Sequence, residues 1–400
     1  MTKFFIIGLL IIGTIAKSQH SEDARIDAFG KFESGAYNEA VDAFNKLLTE
    51  NSINDQKIEL YRGIAEYKLK NYQAAISDLK ASGDKNNSGS DIWLARVYAD
   101  LNDKQNAIFY IQRYLQKADD PFPEKINKDS AFRFLYRTNE WLDLWQKNWM
   151  NDTQKALLDA DYYLSGKDFG QAHQIIENEI IKNGTNTQLI AFNSEIYEKE
   201  GNLELALNEV NKAITIDPES NELLKLKASY LSSLGKFSDA VIDLNHVVKN
   251  CPEDFDARYS RAGAALNAKQ IELAKSDIQL YLKYFGTEKT FYLAGQIYYA
   301  SGEYLNALKY FNRLMDKKYP DVRYYRARGM TYYQTNSFDQ AVYDLSMSLD
   351  LEPGNAEANL YLGLAQYYNG NAKSACYYWN RAKELGELKS ITYLQKYCSQ

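Results

Sequence analysis

An all-α solenoid of stacked antiparallel helical pairs is the fold class predicted by this 400-residue sequence. The first observation behind it is a ladder of alanines, Ala172, Ala206, Ala240, Ala274, Ala307, Ala341 and Ala375, at steps of 34, 34, 34, 33, 34 and 34 residues. A period near 34 is that of a helix–turn–helix unit which cannot bury its apolar face alone and so stacks on its neighbours. The second is the frame around each rung: a small residue, a turn, the alanine, then a large apolar residue four positions on, as in Gly295, Gly302, Ala307 and Phe311. The third is punctuation. Gly166, Gly201, Gly235, Gly302 and Gly370 fall in the turns within pairs, where a left-handed residue is expected, and Pro218, Pro252, Pro320 and Pro353 follow second helices that they stop.

In chain order, Lys3 and the apolar run Phe4 to Ala16, followed by Ala16-Lys17-Ser18, predict a cleaved signal peptide over 1–18 and a mature chain from Gln19. The run of 13 residues is shorter than a membrane span, which makes the expected location periplasmic or secreted, with no integral span after cleavage. Residues 19–118 hold about three pairs, with Gly35, Ala40 and Phe44 in the first, Gly63, Ala75 and Leu79 in the second, and Ala95, Ala107 and Ile111 in the third. The polar stretch Asp84 to Ser90 reads as a surface connection.

Residues 119–151 form a degenerate pair, or joint. Pro121 and Pro123 break the preceding helix, Asp129 or Ser130 caps a short helix through Phe132 and Leu135, and Glu140 to Met150 forms a second. Trp141, Trp145 and Trp149 then share a helix face with Leu142 and Leu144, a pattern of burial more than of a sugar-stacking platform. About seven further pairs fill 152–386, and 387–400 is a capping helix with Leu388, Ile391 and Leu394 at helical spacing.

These residues resemble tetratricopeptide repeats. The fifth pair shows Ile190, Ser194, Tyr197, Gly201, Ala206, Val210, Ala213 and Pro218 at the family's spacings; the ninth shows Tyr325, Gly329, Tyr332, Phe338, Ala341, Leu345 and Pro353, with Asn336 where glycine is usual; the tenth continues with Gly363, Gly370, Ala375, Trp379 and Ala382. The first repeat departs from the pattern, with Lys31 at the usual aromatic position. The resemblance implies a right-handed superhelix whose first helices line a concave groove for a protein or peptide partner. Aligned groove positions are Tyr292, Gln296 and Tyr299 in the eighth pair, Arg323, Arg326, Met330 and Tyr333 in the ninth, and Leu360, Leu364 and Tyr367 in the tenth, an aromatic trough with two arginines. Earlier pairs offer Glu195, Glu198, Lys199, Lys225, Ser229 and Ser232 instead, a hydrophilic face.

With 47 basic against 53 acidic residues, the chain has no basic field for nucleic acid phosphates. His20, His173 and His246 have no metal-ligand spacing, and no HExxH, GxSxG, CxxC or phosphate-cradling glycine loop occurs. The expectation is a non-enzymatic interaction scaffold of the cell envelope without a cofactor or metal, the alternative being a glycan or cell-wall binder built on the tryptophan segment. Of three cysteines, Cys376 and Cys398 are candidates for a disulfide, because a capping helix running antiparallel to the last second helix brings its end to that helix's start; two separate buried thiols are the alternative. Cys251, beside Pro252, reads as a packed residue.

Overall fold

The computed structural model describes residues 21–51, 55–83, 88–117, 123–315 and 321–398. The signal peptide over 1–18, Pro121, Pro320 and most of the 84–90 connection lie outside the described residues. Among the described residues the chain is helical, without strands, and successive helices pack as antiparallel pairs.

The ten pairs are α1 (21–33) with α2 (Tyr37–Asn51), α3 (Gln56–Lys68) with α4 (Tyr72–Gly83), α5 (Ser88–Asp100) with α6 (Lys104–Lys117), α9 (Asp152–Ser165) with α10 (Phe169–Asn183), α11 (Thr187–Glu200) with α12 (Leu203–Ile216), α13 (Asn221–Ser233) with α14 (Phe237–Asn250), α15 (Phe255–Asn267) with α16 (Ile271–Leu282), α17 (Glu288–Ala300) with α18 (Tyr304–Arg313), α19 (Val322–Gln334) with α20 (Phe338–Leu351), and α21 (Ala356–Tyr368) with α22 (Ala372–Glu384). The joint holds α7 (Pro123–Lys128), a 3-10 turn (Ser130–Leu135) and α8 (Asn139–Trp145), and α23 (Lys389–Tyr397) ends the chain. Two compact units divide it, Met1–Phe255 and Asp256–Gln400.

One turn closes all ten pairs. Five residues before each ladder alanine stands a residue of positive φ: Gly35, Lys70, Asn102, Lys167, Gly201, Gly235, Lys269, Gly302, Asn336 and Gly370. The left-handed position lets the chain reverse at once, and the next helix starts there with little help from side-chain caps. First helices are capped by side chains instead, through Asp55, Asn151, Asn186, Ser220, Thr287, Asp321 and Asn355. Gly166 was expected to be left-handed. It is not: its φ is −80° and Lys167 takes the position at 61°, because the register counted from Ala172 falls one residue later than the glycine.

The core is a seam inside the pairs. All ten ladder alanines, from Ala40 and Ala75 to Ala375, have zero exposure, and the large residues four positions on, among them Phe44, Leu79, Phe311, Leu345 and Trp379, are buried with them. Facing these is the small residue of the first helix. A Cβ on Gly295 would stand 2.3 Å from Phe311 Cε1, and one on Gly363 2.5 Å from Trp379 Cδ1, so glycine there is set by helix approach.

Beside this seam, two side-chain combinations fill the space between the helices of a pair. In four pairs a basic residue of the first helix meets an aspartate sixteen residues later on the second: Arg62 with Asp78, Lys227 with Asp243, Arg261 with Asp277, and Arg328 with Asp344. In three others the same two positions hold an apolar residue and a tyrosine: Leu94 and Tyr110, Ala294 and Tyr310, Leu362 and Tyr378. Tyr110 stacks on Tyr98 and Tyr310 on Tyr298, both at 5.5 Å between ring centroids.

The joint departs from its expectation. The helix ends at Trp145, so the third tryptophan is not part of a continuous stripe; Trp149 folds back and its Nε1 donates to the Leu144 carbonyl at 2.8 Å. Leu142 is 54% exposed while Leu144 is buried, so the two leucines do not share a face. Trp141 is buried against Phe132, and Trp145 and Trp149 pack on the same cluster, which continues into the third pair. That leaves no open row of three rings. At the other end of the chain, Leu388 is exposed, and α23 packs through Tyr393, Leu394 and Tyr397 on Trp379 and its neighbours.

Candidate functional site

Four consecutive first helices, α15, α17, α19 and α21, line a cavity of about 300 Å³ in the second unit. Their groove positions stand fifteen, eleven and eight residues before the ladder alanine, spacings that put them on one face of a helix. Tyr292, Gln296 and Tyr299 come from α17, Arg326 and Met330 from α19, with Ala327 beside them. Each helix is held by its own small-residue contact, so the spacing of the walls follows from the repeat.

The aromatic walls are braced. Tyr292 packs on Phe311 at 6.2 Å and on Tyr324 at 5.4 Å between centroids, and burial pushes its phenol above its ordinary value. The Tyr299 hydroxyl lies 3.4 Å from that of Tyr361 and accepts from Gln334 Nε2 at 3.3 Å. Burial raises Tyr361 further, with the bond to Tyr299 adding to it, and raises Tyr333 to about 12. The phenols of Tyr292, Tyr333 and Tyr361 are neutral donors and acceptors at physiological pH. Arg326 is half-buried and its Nη1 donates to Glu352 Oε2 at 2.9 Å, while Glu357 stands exposed at the mouth. The cavity therefore has apolar, polarizable walls with a cation and a carboxylate at its rim, features suited to holding a side chain by stacking and fixing its orientation with polar contacts.

Five of the ten trough candidates are brought together here: Tyr292, Gln296, Tyr299, Arg326 and Met330. Arg323 is not among them. Its guanidinium turns back to Asp321, the cap of its own helix, at 2.8 and 3.0 Å, and lies 5.7 Å from the Tyr292 ring centroid. Tyr333 is packed between Tyr361 and Phe338. Leu360 and Leu364, taken from the alignment as open, are 4% and 6% exposed, in the cluster closed by Trp379 and α23; Tyr367 packs 4.4 Å from Tyr397. The last pair has a capping helix as its neighbour, and that helix removes its groove positions from solvent.

Leu266, Phe311 and Glu357 also line the cavity and were not among the candidates. Leu266 stands eight residues before Ala274, the register of Tyr299, so extending the alignment by one pair finds it. Phe311 belongs to the core ladder, is 1% exposed and packs against Gly295. Elsewhere in the unit, Cys376 and Cys398 are joined in a disulfide, tying the start of α22 to the end of α23. In the first unit Cys251 is a half-buried free thiol that accepts from Asn221 Nδ2 at 3.3 Å. His173 lies 2.6 Å from the Asn193 side-chain oxygen and His246 3.0 Å from Glu219. Among the described residues no three His, Cys, Asp or Glu side chains converge as a metal site, and no helix is long and apolar enough to cross a membrane.

Two family models for the tetratricopeptide repeat match the chain, over residues 292–350 and 194–220. The BBSome complex member BBS4 of Bos taurus is 21% identical over 247 residues, 62% of this chain and 46% of that protein. DnaJ homolog subfamily C member 7 of Homo sapiens is 31% identical over 97 residues, 24% of this chain and 20% of that protein. The chain thus spans less than half the length of either relative. Among solved structures, a tetratricopeptide repeat protein from Parabacteroides merdae gives a TM-score of 0.49 at 18% identity, covering 62% of this chain and 99% of the other.

Proposed function

Because the chain is a tetratricopeptide-repeat protein, a fold that serves as a protein–protein interaction scaffold, we propose that it binds a peptide or protein partner of the cell envelope in the cavity of its second unit. The observation carrying this reading is the contrast along one register. The positions that hold Lys225, Ser229 and Ser232 in α13 hold Tyr292, Gln296 and Tyr299 in α17 and Arg326 and Met330 in α19. The tyrosines supply contact area at small entropic cost, and Arg326 pairs with a carboxylate if the partner displaces Glu352. The role is binding without catalysis. Export rests on the apolar run Phe4 to Ala16, and intact-mass measurement of a chain beginning at Gln19 tests it.

For the binding itself, a photo-crosslinking residue placed at Gln296 or at Met330 should capture the same discrete partner from envelope extract, and one placed at Ser229 should not. Capture at Ser229 alone would move the site to the first unit. No specific capture at either cavity position would remove the proposal.

A further inference from the structure

We propose that Glu253, gripped by Arg25 and Lys57, is a latch that holds the first helical pair against the α14–α15 turn and shuts the groove of the first unit. Arg25 Nη2 on α1 donates to Glu253 Oε1 at 2.9 Å, and Lys57 Nζ at the start of α3 donates to the same oxygen at 2.8 Å. Arg25 Nη1 donates to Asp55 Oδ2 at 2.5 Å, and Asp55 caps α3, so the grip is fixed to the helix that follows the first pair. Both cations lie 5.2 Å from the ring centroid of Phe29, a buried residue of α1. Glu253 is 4% exposed.

These contacts are out of scale with the rest of the unit. They join residues 228 and 196 apart in sequence, whereas ion pairs between neighbouring repeats, such as Arg96–Asp129 and Lys182–Asp152, join residues 33 and 30 apart. In a solenoid each repeat touches its neighbours, and a bond from the first pair to the turn after the sixth is a contact between ends. The compact unit stops two residues beyond Glu253, at Phe255. Because repeat stability is a sum over nearest neighbours, the ends can part without unfolding what lies between them, which is the property of a switch. The charges are what make the closure reversible: two cations stacked on one aromatic face converge on one carboxylate, and without it Lys57 stands beside an Arg25 that keeps only its bond to Asp55. This inference concerns the first unit and is independent of the cavity in the second.

The test uses the full chain in a Cys251→Ser background, with spin labels on Glu39→Cys and Lys249→Cys, both exposed positions on α2 and α14. Inter-label distances are measured together with amide hydrogen exchange. The parent should show one short distance. Glu253→Lys, and separately the double variant Arg25→Ala with Lys57→Ala, should lengthen it and speed exchange over 21–33 by about tenfold or more, while α11 to α14 keep their protection. Unchanged distances in both folded variants would overturn the latch. So would equal acceleration across α11 to α14, since the contact would then belong to the stability of the stack and not to a separable closure.

Discussion

The eighth and ninth pairs stand side by side in one unit, obey the same register, and fill the same interhelical space with opposite chemistry. In α17 and α18 it holds Ala294 and Tyr310, the ring stacked on Tyr298. In α19 and α20 it holds Arg328 and Asp344, joined through two bonds of 2.7 and 2.8 Å. Asp344 has zero residue exposure, and burial pushes its carboxyl above the ordinary value despite the guanidinium beside it. The difference teaches that volume is what this position must supply. The ionic solution meets it at a desolvation cost the aromatic one does not carry.

The largest effect should come from breaking the ionic solution on one side only. Asp344→Ala leaves Arg328 half-buried without its carboxylate and should destabilise by about 3–5 kcal/mol, read from the denaturant midpoint and from amide exchange in α19 and α20. A loss below about 1 kcal/mol would show that water reaches the pair and that the comparison with Tyr310 is misplaced.

A smaller loss is expected where the two pairs are alike. Gly295→Val places side-chain atoms against the Phe311 ring, which a Cβ alone already meets at 2.3 Å, and should cost about 1–3 kcal/mol or more while displacing a cavity wall. Stability equal to that of the parent would mean that the helices separate freely at this contact, against the reading that the repeat sets the cavity width.

What could be read beforehand follows the distinction between local and non-local causes. The pairs were legible because Ala307 and Phe311 or Ala341 and Leu345 recur at fixed spacing, and such patterning expresses which face is buried. The turns at Lys70, Asn102, Lys167 and Lys269 were not, since lysine and asparagine in a left-handed position leave no compositional mark of the kind glycine leaves. The exchange of Arg328 and Asp344 for Ala294 and Tyr310 was present in the register but invisible to a search for conserved residue types, because the two positions change together. In the trough, Tyr292 and Arg326 could be placed from helix periodicity alone. Arg323 could not, because its side chain is captured by the Asp321 cap, and Leu360 and Leu364 could not, because their exposure depends on where α23 lies. The contact between Arg25 and Glu253 spans too much chain for any local pattern to announce it.

Transplanting one solution into the other pair sharpens the comparison further. Arg328→Ala combined with Asp344→Tyr reproduces the eighth pair within the ninth and should lie within about 1 kcal/mol of the parent, because removing both charges also removes their desolvation. The two proteins should differ in acid. Asp344 has a folded-state value above its ordinary 3.8, so the folded chain takes up this proton at higher pH than the unfolded chain does. Stability from this site falls as pH rises through the interval above 3.8 and returns as pH falls. The double variant lacks that gain on acidification. Glu253 behaves in the opposite sense: burial raises it, but the bonds from Arg25 and Lys57 outweigh burial and hold it below 4.5, so its contribution is present above that value and lost as pH falls beneath it.

The smallest effect on stability belongs to Arg326, the arginine of the ninth pair that points away from this interior. Its partner Glu352 is 49% exposed, and an ion pair so open to water contributes little, so Arg326→Ala should shift the denaturant midpoint by no more than about 0.5 kcal/mol. Arg328 and Arg326 thus lie two residues apart on one helix with opposite expected consequences, one structural and one for recognition. If the cavity holds the partner, Arg326→Ala should weaken capture at the Gln296 or Met330 crosslinking position severalfold or more, since removing an arginine that pairs with the partner commonly costs about 1 kcal/mol or above, that is, about fivefold in affinity. Undiminished capture by a folded Arg326→Ala protein would assign recognition to the aromatic walls alone, and the substitution to make next would be Tyr299→Ala, which removes a ring without touching either interhelical filling.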